Sequence, residues 1–308
     1  MGNWELMILP PELLQSPHLL VETTGSQLLG EDFIQQQLNT NQTHKYQQKM
    51  KSLYFLSGLP RSGSTLLGSI LSQHSKLQAT PTSPLVDLLC WIDEGFSKLD
   101  IQYTYDKESI TYNTYSSILE NFYNHIKKPY ILDKHRGWCK NVPSIEKFLH
   151  QKPKIIATNR RISEVLASYV ILIEKNQSDN FVDAHLQREG KLITTDNRIE
   201  CLWKNYVCDP YESLVYGLQH NPQNIHLVDY NDLTQNPEET IEKIYEFMNI
   251  EPHKHDFSSI LNTCAEDKDY AWGIENLHQI RKKLKRTSPP PEEIIGEENV
   301  KLYDKFNI

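Results

Sequence analysis

The stretch Leu53-Tyr54-Phe55-Leu56-Ser57-Gly58-Leu59-Pro60-Arg61-Ser62-Gly63-Ser64-Thr65-Leu66-Leu67 decides how the rest of the chain is read. Its first five residues are short and apolar, as a buried strand requires. A turn-forming run follows from Gly58 to Gly63, and Leu66, Leu67, Ile70 and Leu71 then recur at helical spacing. Strand, glycine loop and helix in that order match the spacing GxxxxGK[ST] of a phosphate-binding loop, with Ser64 where the lysine belongs. Glycines let successive backbone N–H groups converge on an anion, and the helix that follows adds the positive end of its dipole. Phosphate binding therefore survives the change. Polyphosphate hydrolysis, which needs a lysine on the β- and γ-phosphates beside Mg²⁺, is disfavoured, and the cation of the loop is Arg61.

The same alternation recurs along the chain. Tyr130 to Leu132, Lys154 to Thr158 and Ile225 to Val228 read as short buried strands, and the second runs into a helix through Val165, Leu166 and Tyr169. Pro237 opens a helix carrying Ile241, Ile244, Tyr245 and Met248. Strands alternating with helices predict an α/β fold, a P-loop-like parallel sheet flanked by helices on both faces. Residues 1–49 are rich in Gln, Asn and Thr and show no sustained period. They are expected to form an arm or linker ahead of one domain spanning 50–308, and they are the candidate contact with a second copy or a larger biosynthetic assembly. Pro289-Pro290-Pro291 reads as a stiff spacer.

Composition narrows the function classes. The formal charge is −8 over 308 residues, so the overall field attracts neither nucleic acid nor an anionic membrane, and any anion site must be local. Apolar runs such as Tyr169 to Ile173 are far shorter than a membrane span. The start carries no pattern of a secretory signal, and Leu6 stands where a myristoylation motif wants Ser or Thr. Five scattered cysteines without CxxC spacing disfavour a disulfide scaffold and a structural zinc site. A cytoplasmic protein with reduced thiols is the expectation.

The run Leu56 to Leu67 resembles the 5′-phosphosulfate loop of sulfotransferases that use 3′-phosphoadenosine 5′-phosphosulfate (PAPS) and release 3′-phosphoadenosine 5′-phosphate (PAP), in the PRSGST form of tyrosylprotein-sulfotransferase-like and bacterial members. The resemblance implies that Gly58, Pro60, Arg61, Ser62, Gly63, Ser64 and Thr65 surround the 5′-phosphosulfate. Ala157 to Ser168 is similar to the family's 3′-phosphate motif, in which Arg160 forks onto the phosphate and Ser168, eight positions on, donates its hydroxyl. Arg161 stands where the family often has Asp. Asp229 to Pro237 is similar to a third family segment and supports the fold, with Tyr230 and Asp232 free to cap and pack a strand exit. Asp269 to His278 corresponds to the cofactor-covering loop. There Trp272 is the candidate adenine partner, and the basic run Arg281 to Arg286 could add phosphate contacts or simply form a solvated helix face.

Sulfuryl transfer needs an acceptor oxygen or nitrogen in line with sulfur, a base for its proton, and cations for the charge on the departing phosphate, with no metal required. The resemblance implies Arg61 and Lys134 as the cations. For the base, His135 directly follows Lys134, one position off the register of cytosolic sulfotransferases. The glutamate of the tyrosylprotein enzymes has no counterpart in Ala79 to Asp87, which leaves Asp87, or another acid such as Glu94, as the alternative. The absent glutamate and secretory signal turn the expected acceptor toward a small hydroxylated metabolite, lipid or polyketide-like molecule. Tyr103, Tyr105, Tyr112, Tyr115, Phe122 and Tyr123 could line its pocket, but Tyr112, Tyr115 and Phe122 fall at helical spacing with Ile118 and Leu119, which favours core packing. The competing readings are a nucleotide or nucleoside kinase, for which Asp133 is the nearest metal-binding acid and stands beside a repelling Lys134, and a catalytically silent nucleotide-binding module.

Overall fold

In the computed structural model, residues 51–99, 106–149, 152–176, 180–263, 269, 273–284 and 288–308 are described. The arm read from the sequence, Tyr103, Tyr105, Trp272 and Arg286 lie outside them. Five strands form one sheet: β1 Ser52–Gly58, β2 Leu77–Thr82, β3 Tyr130–Lys134, β4 Ile155–Asn159 and β5 Ile225–Asp229. Their order is β2-β3-β1-β4-β5 and every pairing is parallel, so the expected α/β architecture is observed. The connections carry α1 Ser64–Leu71, α2 Leu85–Ser97, α3 Lys107–Asn121, α4 Val142–Leu149, α5 Ile162–Lys175, α6 Phe181–Arg188, α7 Thr195–Leu202 and α8 Cys208–His220. Two more, α9 Tyr230–Gln235 and α10 Pro237–Met248, follow β5, and α11 Pro291–Tyr303 comes last.

The period-2 alternation of the strands divides the core into two layers. Phe55, Ile131 and Ile155 point to one face, where Ile145 of α4, Val165 and Leu166 of α5 and Leu214 of α8 cover them. Leu56, Leu132 and Ile156 point to the other, against Leu67 and Ile70 of α1 and Ile241 and Ile244 of α10. Both faces being apolar is why the central strands read as continuous hydrophobic runs. Tyr115, Leu119 and Tyr123 are buried in the first layer, which settles the aromatic stretch as packing at those positions. Asp106 caps α3 by accepting from Ser109 N.

β2 is an edge strand that pairs only with β3, its register slipping between Ala79 and Thr82. With Pro81 and few apolar residues, it carries no strand signal in the sequence. α11 begins in the proline run that reads as a spacer, because Pro291 takes the first helical position. No described helix is long and apolar enough to cross a membrane, and the described cysteines form no disulfide.

After α10 the chain continues without regular structure and is pinned to the turn behind α1. His74 Nε2 meets Glu251 O at 3.2 Å, Lys76 pairs with Glu251, and Tyr245 Oη meets His255 Nε2 at 2.7 Å. The rings of His74, His253 and His255 lie edge to face at 5.3 and 5.1 Å, with Lys76 and Lys128 beside His74. Burial pushes His74 below its ordinary value and His255 down to about 4. Between pH 6.5 and 4 the unfolded chain therefore binds protons that the folded one refuses, so stability falls as the pH drops through that window. For His255 the loss is about 2 kcal/mol after allowing for solvent screening of a partly exposed ring. Urea midpoints at pH 7 and 4.5 check this: His255→Gln should lose less than wild type between the two, and parallel losses would remove His255 from the effect.

Candidate functional site

The strand order reverses direction between the neighbours β1 and β4: the connection of β1 leaves through α1 across one face toward β2, and that of β4 leaves across the other face toward β5. The crevice beyond the carboxyl ends of such strands is where open α/β sheets bind ligands. A cavity of about 810 Å³ lies there, lined by the loop after β1, the ends of β3 and β4, Tyr230, and the segment 275–284. Eight basic side chains line it against one carboxylate, Glu275. The chain is acidic, yet its cleft is cationic, so the positive charge is local to the cleft.

The loop Gly58 to Thr65 owes its shape to three residues with positive φ: Gly58 at 116°, Arg61 at 57° and Gly63 at 94°. A Cβ on Gly58 would lie 2.1 Å from the carbonyl oxygen of Thr158, so the close approach of β1 to β4 excludes any side chain there. A Cβ on Gly63 would lie 2.9 Å from the Tyr230 ring. Arg61 is the exception, a bulky residue held in the left-handed region within this loop. Ser62 is fully buried and turns inward, bonding Leu59 O and, at 2.6 Å, Thr158 Oγ1. Its side chain holds the loop closed, and Pro60 is buried in the same turn. Gly58, Arg61, Gly63, Ser64 and Thr65 face the cavity.

Arg61 crosses the cleft. Its Nε donates to Ser168 Oγ at 3.3 Å, its Nη1 donates to Leu277 O, and its guanidinium lies 6.0 Å from the Tyr169 ring centroid. Lys134 arrives from the end of β3, buried to 6% exposure, with Nζ 3.5 Å from Thr65 Oγ1. The ammonium absent from position 64 is thus supplied to the loop from a neighbouring strand. Arg160 leaves β4 at 4% exposure. Its Nε bonds Glu164 Oε2 at 3.0 Å, its Nη1 bonds Arg61 O at 3.1 Å, its Nη2 bonds Ser288 Oγ at 3.3 Å, and its plane lies 4.3 Å over the Tyr230 ring. Tyr230 therefore touches both the loop and Arg160, a site role hidden in a segment that the sequence marks only as fold support. Arg161 is drawn away to Asp304 and Glu292.

The two base candidates meet. His135 lines the cavity, and its Nε2 lies 3.4 Å from Asp87 Oδ2. Its Nδ1 accepts from the backbone N–H of Gly137 at 3.0 Å, which places the ring proton on Nε2, directed at Asp87. Burial pushes the His135 imidazolium below its ordinary range, so the ring is neutral at pH 7. Its one lone pair is already engaged, whereas the Asp87 side chain is 53% exposed with acceptor capacity to spare. Glu94 is paired with Lys98 on the exposed face of α2, away from His135, and of these groups His135 alone lines the cavity, with Asp87 beside it. Asp133 is fully buried on the opposite face of β3, accepting from Tyr123 Oη and from Trp138 Nε1 at 2.7 Å. Burial pushes it above the usual carboxylate range, and it is a packing group with no access to a metal in the cleft.

The covering segment contributes residues that the sequence did not single out. Leu277 O receives Arg61, and His278, whose Nδ1 pairs with Asp269 at 2.5 Å, sits in the cavity wall. Arg281, Lys282 and Lys283 of the basic run line the cavity as well.

The chain belongs to the sulfotransferase family, whose model matches residues 54–254. It is accordingly a sulfotransferase, as the loop and its resemblance imply. Among solved structures, a sulfotransferase domain from the curacin biosynthetic pathway is 16% identical over 83% of this chain and 90% of that one, with a TM-score of 0.44. A sulfotransferase from Mycobacterium avium is 11% identical over 87% and 79%, at 0.46. A mouse sulfotransferase complexed with PAP is 15% identical over 67% and 62%, at 0.40. No curated protein gives a significant match.

Proposed function

We propose that this sulfotransferase takes its sulfuryl group from PAPS and passes it to a hydroxyl of an apolar small molecule, releasing PAP. The observation that carries the reading is Lys134 reaching Thr65 beside a loop whose own cation is Arg61. In a phosphate-loop kinase the hydroxyl at position 65 would bind Mg²⁺, and an ammonium at 3.5 Å opposes a divalent cation there. The residues suit the nucleotide: a glycine loop that faces the cavity after one strand, and Arg160 and Ser168 on the next strand and helix for a second phosphate.

The nucleotide supplies the sulfuryl group, which joins the acceptor oxygen as its bond to the 5′-phosphate breaks. Arg61 and Lys134 stabilise the negative charge that collects on the departing oxygen. Asp87, held by the Nε2–H of His135, takes the acceptor's proton. An apolar acceptor agrees with α2, which starts beside this pair. Leu88, Leu89 and Ile92 are only partly covered, and Trp91 is 70% exposed.

Calorimetry with PAP tests the donor: binding should be indifferent to Mg²⁺ and collapse when the 3′-phosphate is removed. Arg160→Lys keeps a charge opposite the buried Glu164 while losing the planar fork. It should weaken PAP by about 1.5–3 kcal/mol and leave adenosine 5′-monophosphate nearly unchanged. Equal losses for both ligands would take Arg160 out of that role. Turnover of PAPS against a panel of apolar alcohols and phenols then tests the acceptor class.

A further inference from the structure

The corner that presents Arg160 is held from more than 140 positions away. α5 begins at Ile162 with Arg161 as its N-cap residue, and Arg161 supplies no side-chain acceptor to the first-turn amides. Those amides are orphans of any helix start and need partners. They find them in the segment after α11. Asn307 Oδ1 accepts from Ile162 N at 2.8 Å, and Asp304 Oδ1 accepts from Ser163 N at 3.2 Å. Asp304 Oδ2 accepts from Arg161 Nε at 2.6 Å, and Ile308 O accepts from Asn159 Nδ2 at 3.2 Å. Phe306 anchors the segment by packing its ring, tilted by 35°, against Trp203 at 4.5 Å.

Asn159, Arg161, Ile162 and Ser163 are therefore all tied to residues 304–308, and Arg160 alone of the five is left to the cavity. Its direction is set by its two chain neighbours and by Glu164, which lies in the turn that Asp304 and Asn307 cap. A free first turn frays, and with it goes the carboxylate that aims the guanidinium. Asp304 also occupies Arg161, so that a single arginine of the pair faces the cleft.

We propose that Asp304 and Asn307 are positioning residues for nucleotide binding: by capping α5 they hold Arg160 on the line to the 3′-phosphate. The inference rests on the PAP reading above, and its test separates the two. PAP and adenosine 5′-monophosphate, which differ only in the 3′-phosphate, are titrated into the full chain and into Asn307→Ala, Asn307→Asp, Asp304→Ala and Glu292→Gln, with a melting curve for each. Asn307→Ala and Asp304→Ala should weaken PAP by about tenfold, the size of a lost cap, and leave the monophosphate within about twofold. Asn307→Asp keeps the acceptor and should restore PAP affinity. Glu292→Gln, which touches Arg161 but no amide of α5, should bind like wild type. Should Asp304→Ala fail to fold, the Asn307 pair decides alone. Unchanged PAP affinity in Asn307→Ala, equal losses for both nucleotides, or no rescue by Asn307→Asp would overturn the positioning role. A wild-type protein that binds both nucleotides alike would overturn the PAP reading, and this inference with it.

Discussion

Lys134→Met should lower turnover by at least about a hundredfold while PAPS affinity stays within about threefold. The methionine keeps most of the apolar stem of a side chain that is 94% covered, so the packing at the end of β3 is retained. What is lost is an ammonium placed 3.5 Å from Thr65 Oγ1 of the loop. In bound PAPS the departing oxygen bridges phosphorus and sulfur and carries little charge, and Arg61 and Arg160 remain for the 5′-phosphosulfate and the 3′-phosphate. That oxygen gains charge as its bond to sulfur breaks, and a preorganised cation is worth most where charge develops. Single-turnover release of PAP from PAPS, with any acceptor that the wild-type protein uses, reads the effect directly. A rise in KM with kcat unchanged would place Lys134 in ground-state binding instead.

The second large effect belongs to the pair at the acceptor side. Asp87→Asn should reduce kcat by about 10²- to 10⁴-fold and remove the acid limb of the pH–rate profile, because the amide cannot accept a proton. His135→Gln should cost less, about tenfold, and keep an acid limb. Its ring is an orienting group whose Nδ1 is spent on Gly137, and a glutamine amide can still donate toward Asp87. His135 as the base, the expectation from its place after Lys134, predicts the reverse pattern. If the limb vanishes in His135→Gln and survives in Asp87→Asn, the imidazole gives up its Gly137 bond during turnover and takes the proton itself. The pH sense is common to both outcomes. A base must be unprotonated to act, so activity rises with pH as the base loses its proton.

Much of this was legible in one stretch. Gly58, Gly63 and the apolar strand before them announce a phosphate loop because only glycine reaches φ of 116° and 94° while letting another strand's backbone come within touching distance. The alternating apolar runs announce a parallel sheet covered on both faces, since a strand buried on two sides must be hydrophobic throughout. Arg160 and Ser168 are likewise readable, being local to one strand and one helix. β2 was not, because an edge strand with a proline needs no hydrophobic run and exists only by pairing with β3.

The remaining facts of the site are long-range and have no local signature. Lys134 replaces a loop lysine only because the register Leu56 to Lys134 of β1 and β3 brings its side chain beside Thr65. His135 and Asp87 became one pair, rather than rivals, when β2 and β3 came together and α2 started alongside. Ser62, inside the loop motif, turned out to bind the protein, and Tyr230, outside it, to pack on Gly63 and Arg160. Sequence patterns report periodicity and backbone conformation, which are properties of neighbours along the chain. The direction of a charged side chain in a low-dielectric cleft is set by whichever distant groups satisfy it, such as the Asn307 and Asp304 that close the start of α5, and only the folded chain chooses them.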